Sequence, residues 1–130
     1  MRDPPSFISE EDALMKEKLT GRFGENAAAD LLRKKRYKII GANYACRFGE
    51  IDLIAENKEN IVFVEVKSRK NAGFAEAREF VTPSKQRKLT ATAQFWLAQN
   101  PTEKQPRFDV IEVYCENGIV KSIQHIENAF

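Results

Sequence analysis

Four charged side chains interrupt two apolar runs in "GEIDLIAENKENIVFVEVKSR", residues Gly49 to Arg69: Glu50, Asp52, Glu65 and Lys67. Facing carboxylates beside a lysine suit metal-assisted phosphodiester hydrolysis. The cation polarises a phosphate oxygen and lowers the pKa of water, and the lysine positions that water or stabilises the developing negative charge. The polar turn "NKEN" sets the register. Centred between Lys58 and Glu59, it places Asp52 opposite Glu65 and Glu50 opposite Lys67, and the period of two puts all four on one sheet face. Opposite Cβ atoms then lie roughly 4.5–5.5 Å apart, so Asp52 and Glu65 repel unless something positive compensates. A third acid, Glu25, follows Gly24 on a helical stretch that can pack over this face.

Oxygen ligands without Cys or His select Mg²⁺ or Mn²⁺ over zinc. Weak binding at Asp52 and Glu65 is expected, with Glu25 or Glu50 and the Val66 carbonyl as additional ligands. The plainer reading is a hydrated hairpin face with ordinary Glu–Lys cross-strand pairs, and Glu25 as a first-turn acid favouring the helix dipole. Against it, both strands carry apolar residues on both faces elsewhere, and the acidic pair is like-charged.

The elements that must hold these residues follow from periodicity. Ser9 with Asp12 resembles a helix start, and Gly24, Ala27, Ala28, Leu31 and Leu32 share one face, giving one long helix or two consecutive ones. "YKIIGANYA" (Tyr37 to Ala45) reads as a strand with an irregularity at Gly41. Strands follow at Glu50 to Glu56 and Ile61 to Lys67, then a loop, "SRKNAGFAEAREF", with at most a short helical turn. Thr82 and Pro83 open a second helix that "NPTEKQP" stops. "RFDVIEVYC" and "IVKSIQHI" are the last strands, joined by the turn "ENG". The order predicts a mixed α/β sheet flanked by helices: an antiparallel meander, then Phe108 to Tyr114 parallel to Ile61 to Lys67. "IVFVEV" is apolar on both faces, as a covered central strand is.

The chain has 130 residues, 42% hydrophobic and 31% charged, with a net charge of +2. This suits one globular domain at 21–130 behind an N-terminal tail and helix extension at 1–20. Cys46 and Cys115 make no metal-type pair and His125 is the only histidine, so a zinc site and a disulfide framework are not expected, in keeping with a reducing cytoplasm. The N-terminus lacks a signal-peptide core, and no window approaches the roughly 20 apolar residues of a membrane span.

Asp52 and the later Glu65-Val66-Lys67 resemble the signature of the PD-(D/E)xK nuclease superfamily. More narrowly, "GRFGE", "GEIDLIA", "VFVEVKSR", "VTPSKQRKL" and "RFDVIEV", in that order, resemble the bacterial YraN-like family. The resemblance covers about Gly21 to Val113. It implies a restriction-endonuclease-like core related to Holliday junction resolvases, in a family without a settled activity. By the same resemblance Glu25 is the helix acid, Asp52 and Glu65 the metal acids, Lys67 the catalytic lysine, and Glu50 the acid of the family's G-E-I-D segment. Ile51 stands where the superfamily often has a proline, and "NAGFAEAREF" matches the family loosely.

The expected partner is DNA, branched or damaged forms included. "RKKRYK" (Arg33 to Lys38) places five cations around one aromatic, "KSRK" adds three cations at and beyond Lys67, and "TPSKQRK" sets hydroxyls and lysines at a helix N-terminus where backbone N–H groups favour phosphate. Arg47, Arg69, Lys70, Lys85, Gln86 and Lys88 are the candidate contacts. Solvated helix ends and loops are the plainer reading of each run. Phe95 and Trp96 are expected in the core, and His125 as a surface or satisfied strand histidine. A non-catalytic nucleic-acid-binding module on the same fold is the alternative to a nuclease. No decisive interface is present, so a monomer or weak homodimer is expected. The final strand and an apolar stripe of Ile8, Leu14, Met15 and Leu19 are the weak candidates for an interface.

Overall fold

The computed structural model describes residues 10–69 and 81–130, with residues 10–21 described by their backbone alone. The tail, the Ser9 cap, the segment 70–80 with Lys70, and the proposed stripe of Ile8, Leu14, Met15 and Leu19 lie outside the described residues and side chains. The elements are α1 (Glu10–Lys34), β1 (Lys38–Cys46), β2 (Gly49–Glu56), β3 (Asn60–Arg69), α2 (Pro83–Gln99), β4 (Gln105–Glu116) and β5 (Ile119–Ile126). The strands form one sheet in the order β1-β2-β3-β4-β5. Only β3 and β4 run parallel, and every other neighbouring pair is antiparallel. This is the mixed sheet expected of a restriction-endonuclease-like core, with the parallel strand reached through α2.

Helix α1 is continuous through Gly21 and Gly24. A Cβ at position 24 would overlap Ser68 Oγ and sit 3.3 Å from Ser68 Cβ, so glycine there lets α1 lie directly against β3. The helix ends on Arg36, which holds the left-handed conformation (φ 70°) usually given to glycine. The Tyr37 N–H then donates to the Leu32 carbonyl at 2.9 Å and the Arg36 N–H to that of Arg33 at 2.9 Å, closing the exposed carbonyls.

Two apolar cores lie on the two faces of the sheet. Ala28, Ala29 and Leu32 of α1 pack with Leu53, Val62, Val64, Ile111 and Val113. Leu89 and Ala93 of α2 pack with Ile51, Ile54, Ile61, Phe63 and Val110. The central strand β3 is buried from Ile61 through Glu65, which accounts for its apolar residues on both faces. Helix α2 starts as its sequence predicts: Pro83 is at the first turn and Thr82 Oγ1 accepts the Lys85 N–H at 3.2 Å.

The register of the β2–β3 hairpin is the predicted one, from Glu56↔Ile61 to Leu53↔Val64. The irregularity predicted at Gly41 is present as a shift between Ile39 and Gly41. Most strand ends fall within one residue of expectation, and two differ by more. Ser68 and Arg69 belong to β3, because pairing with β4 continues through Ser68↔Val113 and Arg69↔Tyr114. Strand β4 begins at Gln105, with Pro106 near its start, where a proline is tolerated. The β4–β5 turn is the predicted one, with Asn117 (φ 53°) and Gly118 (φ 76°) at its tip.

Candidate active site

The paired backbones of β2 and β3 separate beyond Leu53↔Val64. There the Asp52 carboxylate replaces the backbone partner: its Oδ2 accepts the Val66 N–H at 2.8 Å. In an extended strand a residue's N–H and C=O point to the same edge, so the Val66 carbonyl also faces Asp52. Glu50 and Lys67 do not form the expected cross-strand pair. The strands have parted before reaching them, and the Lys67 ammonium turns to Glu65 Oε1 instead, at 3.4 Å.

Beside this opening is a cavity of about 250 Å³ lined by Gly49, Glu50, Asp52, Glu65, Lys85, Lys88 and Leu89. Each element contributes by its place in the fold. Strands β2 and β3 bring Asp52 and Glu65, and the first turns of α2 bring Lys85 and Lys88. Lys85 Nζ donates to Glu65 Oε1 at 2.9 Å, so two ammonium groups converge on one carboxylate oxygen. Glu25 reaches the same group from α1. It is hydrogen-bonded to Asn43 and close enough to Glu50 and Glu65 to feel both charges.

The electrostatics are out of balance in both signs. Burial, reinforced by the charge of Glu65, pushes Asp52 up to about 7, and the Val66 N–H opposes this only in part. Burial and the Glu50 and Glu65 charges raise Glu25 above the usual carboxylate range despite its Asn43 hydrogen bond. Burial and the neighbouring Lys85 hold Lys67 below the usual lysine range, with Glu65 opposing. For Lys85, burial acts downward too, but hydrogen bonds to Lys67 and Glu65 outweigh it and hold this lysine above the ordinary value. The raised acid Asp52 lines the cavity, and the lowered lysine, Lys67, stands beside it on Glu65, which the cavity shares.

The donor types are those a hard divalent cation takes. Asp52 and Glu65 are carboxylates whose mutual repulsion a cation would relieve, with Glu25, Glu50 and the Val66 carbonyl close by. Among the described residues, no three His, Cys, Asp or Glu groups are already drawn together around a point that could hold a metal. The lysine ammonium groups stand on Glu65 instead.

The expected nucleic-acid contacts fall in different places. Lys88 is exposed on the cavity wall and Arg47 is exposed over the Phe48 ring. Lys85 is inside the cavity. Gln86 Nε2 donates to the Val81 carbonyl at 3.1 Å, and Arg69 Nη1 lies 3.3 Å from Glu112 Oε1. Of the basic run at the end of α1, Arg33 pairs with Asp30 and Lys35 bonds His125.

Three residues near the site went unmarked in the sequence. Asn43, with φ 52°, sits between the pairs Ala42↔Leu53 and Tyr44↔Ile51, opposite Asp52. Glu112 is fully buried, pairs in register with Lys67 and has one carboxylate oxygen without a partner. Its signal was an acid set between the apolar residues Ile111 and Val113 of a strand predicted to neighbour β3. Phe48 is exposed at the β1–β2 turn, packed edge-to-face on Phe95. Phe95 is therefore only half-buried and outside the core, contrary to expectation, because its place on α2 falls over the hairpin tip instead of the sheet. Trp96 does pack on the core, against Phe63.

Fold and site together define an α/β protein with a five-stranded mixed sheet and an acid–lysine cavity where two central strands part. The chain belongs to UPF0102, an uncharacterised protein family whose model matches residues 24–113. This is the YraN-like family that the five sequence segments resemble. A UPF0102 protein of Caldanaerobacter subterraneus is 47% identical over 117 residues, covering 88% of this chain and 96% of its own. One from Clostridioides difficile is 44% identical over 89% of this chain and 100% of its own. One from Geobacter sulfurreducens is 41% identical over 87% and 89% respectively. Among the described residues, no helix is long and apolar enough to cross a membrane.

Proposed function

We propose that the protein is a metal-dependent endonuclease that hydrolyses phosphodiester bonds in DNA, with Asp52, Glu65 and Lys67 at its centre. The observation that carries this reading is geometric: Asp52 and Glu65 line one cavity, and the Lys67 ammonium stands 3.4 Å from Glu65 Oε1. Asp52 and Glu65 would hold Mg²⁺ or Mn²⁺, with Glu25 or Glu50 and the Val66 carbonyl completing the set. Bound there, the ion neutralises charge on the phosphodiester and acidifies water.

The chain's own residues do the rest. Lys67 positions the water, which loses a proton to solvent as its oxygen bonds to phosphorus, and the Lys67 ammonium offsets the negative charge that develops there. The bond from phosphorus to the leaving sugar oxygen breaks, and that oxygen takes a proton from the Lys85 ammonium or from solvent. Lys85 and Lys88 draw the phosphate into the cavity and offset the negative charge that grows on it.

One observation favours a second reading, a nucleic-acid-binding module without catalysis: Lys85 and Lys67 already neutralise Glu65. Incubation with linear, single-stranded and four-way-junction DNA, in Mn²⁺ or in EDTA, separates the two. Metal-dependent cleavage that disappears in Lys67→Ala is the expected result. Tight, EDTA-insensitive binding without cleavage would replace the nuclease by the module.

A further inference from the structure

The β1–β2 connection has two residues, Arg47 and Phe48, between the paired Cys46 and Gly49. Such short hairpin tips favour Gly and Asn, because their common turns need positive φ. The β4–β5 turn of this same sheet obeys that rule with Asn117 and Gly118. At the β1–β2 tip, by contrast, two large side chains stand at the surface, neither with a positive φ. The Phe48 ring is 38% exposed, edge-to-face with Phe95 at 5.9 Å and 63°. The Arg47 guanidinium lies over the ring, 4.8 Å from its centroid.

The tip is held firmly against α2. Gly49 takes φ 155°, and a Cβ there would come 3.1 Å from Thr92 Oγ1 and 3.8 Å from Lys88. Gly49 also lines the acid–lysine cavity, so Phe48 is one residue from its wall. An isolated exposed aromatic is unremarkable on a protein surface. Phe48 differs in carrying a planar cation on its face, a second ring on its flank and the acid–lysine cavity beside it.

We propose that Arg47, Phe48 and Phe95 form a stacking platform for an unpaired nucleobase of the strand whose backbone enters the cavity. The substrate class is then nucleic acid with unpaired nucleotides, as at single strands and branch points, in preference to intact duplex. Bases stack on aromatic rings and on guanidinium planes, and a base inside a duplex cannot present its face. Glu50, exposed on the cavity wall, disfavours a phosphate at the tip but does not repel a neutral base. The inference rests on the reading of the cavity as a phosphodiester site.

The test uses the full chain in EDTA, with a short fluorescein-labelled oligothymidylate and a blunt duplex of equal length as probes, read by anisotropy. Wild type should bind the single strand more tightly. Phe48→Ala and Phe48→Leu should weaken single-strand binding about tenfold, the loss of one stacked base, and duplex binding less than about twofold. Phe48→Trp should restore it. Phe48→Leu keeps apolar volume on Phe95, so an unchanged thermal midpoint excludes misfolding. Equal losses for both probes, no loss, or no preference for the single strand each overturn the platform. A parallel digestion of junction DNA in Mn²⁺ keeps the two readings apart. Cleavage lost in Lys67→Ala but unaffected single-strand binding in Phe48→Ala would leave the nuclease and remove the platform. Stacking behaviour without cleavage by wild type would do the reverse.

Discussion

Two aspartates sit in neighbouring parts of one sheet with opposite electrostatics. Asp109 of β4 is fully buried, yet its carboxyl lies below the usual range. Burial alone would raise it, but hydrogen bonds from His125 and Arg107 and from the Asn128 N–H outweigh that cost. Arg107 reaches it through Nε and Nη2, both at 2.8 Å, and Nη2 also donates to the Tyr37 hydroxyl at 2.6 Å. His125 Nε2 is 2.7 Å from Asp109, and its Nδ1 faces the Lys35 ammonium at 2.8 Å, so the ring donates through Nε2. Asp52 is less buried, accepts the Val66 N–H, and faces other acids. One aspartate is satisfied on every side and ties the α1–β1 connection to β4 and β5. The other is left short, which makes it available to a ligand.

The largest test of this contrast is Asp109→Ala. It leaves Arg107 and His125 without their common partner and should cost about 3 kcal/mol, as breaking a buried pair from one side does. Urea unfolding at pH 7 measures it. A loss below about 1 kcal/mol would mean that the network is incidental.

Asp52→Asn should act in the other direction. The folded state holds Asp52 at about 7 against an ordinary 3.8, so it carries an extra proton between those values. Stability then falls as pH rises from about 4 to about 7 and is flat above. Asparagine keeps an acceptor for the Val66 N–H and has no charge to bury, so at pH 8 the variant should be more stable by about 2 kcal/mol. That figure is below the full burial penalty because the carboxylate is only partly enclosed. Near pH 4 the two proteins should be alike. Asp109 has the opposite sign: its folded value is depressed, so its contribution is present above the ordinary carboxylate range and is lost as pH falls through the folded value. Unfolding curves at four or five pH values would show whether the two slopes separate.

The smallest effect concerns metal. Mn²⁺ at about tenfold over its dissociation constant should stabilise wild type by about 1.4 kcal/mol at pH 8 and leave Asp52→Asn nearly unchanged. Calorimetric titration gives the affinities, and equal values for both proteins would count against Asp52 as a ligand.

Much of this arrangement was legible because period and turn chemistry are local. The register of β2 on β3 followed from the centre of "NKEN", and the α2 start from Thr82-Pro83. That register holds only as far as Leu53↔Val64, and beyond it Asp52 and Glu65 meet at the cavity wall instead of as a paired rung. What escaped the sequence depends on contacts between distant segments. Nothing near Asp52 announces that its side chain would take the Val66 N–H and end the pairing. Lys85 looked like a surface phosphate contact because its 20-residue separation from Glu65 hides their meeting. Arg107 and Asp109 share one strand and meet locally, but only the β4–β5 pairing brings His125 to them.

The parallel pairing of β3 and β4 also sets an order of assembly. The β2–β3 hairpin closes over three residues, 57–59, whereas Asn60 meets Gln105 only across 45 positions. Local contacts form before distant ones, because a long loop must first be closed. Asp52 and Glu65 are therefore brought together while α2, with Lys85, is still undocked. Only Lys67, on the same strand as Glu65, is present to offset them. A proton can take the place of the missing lysine, so refolding should be faster at pH 5 than at pH 8, and Asp52→Asn should remove most of that difference in stopped-flow measurements.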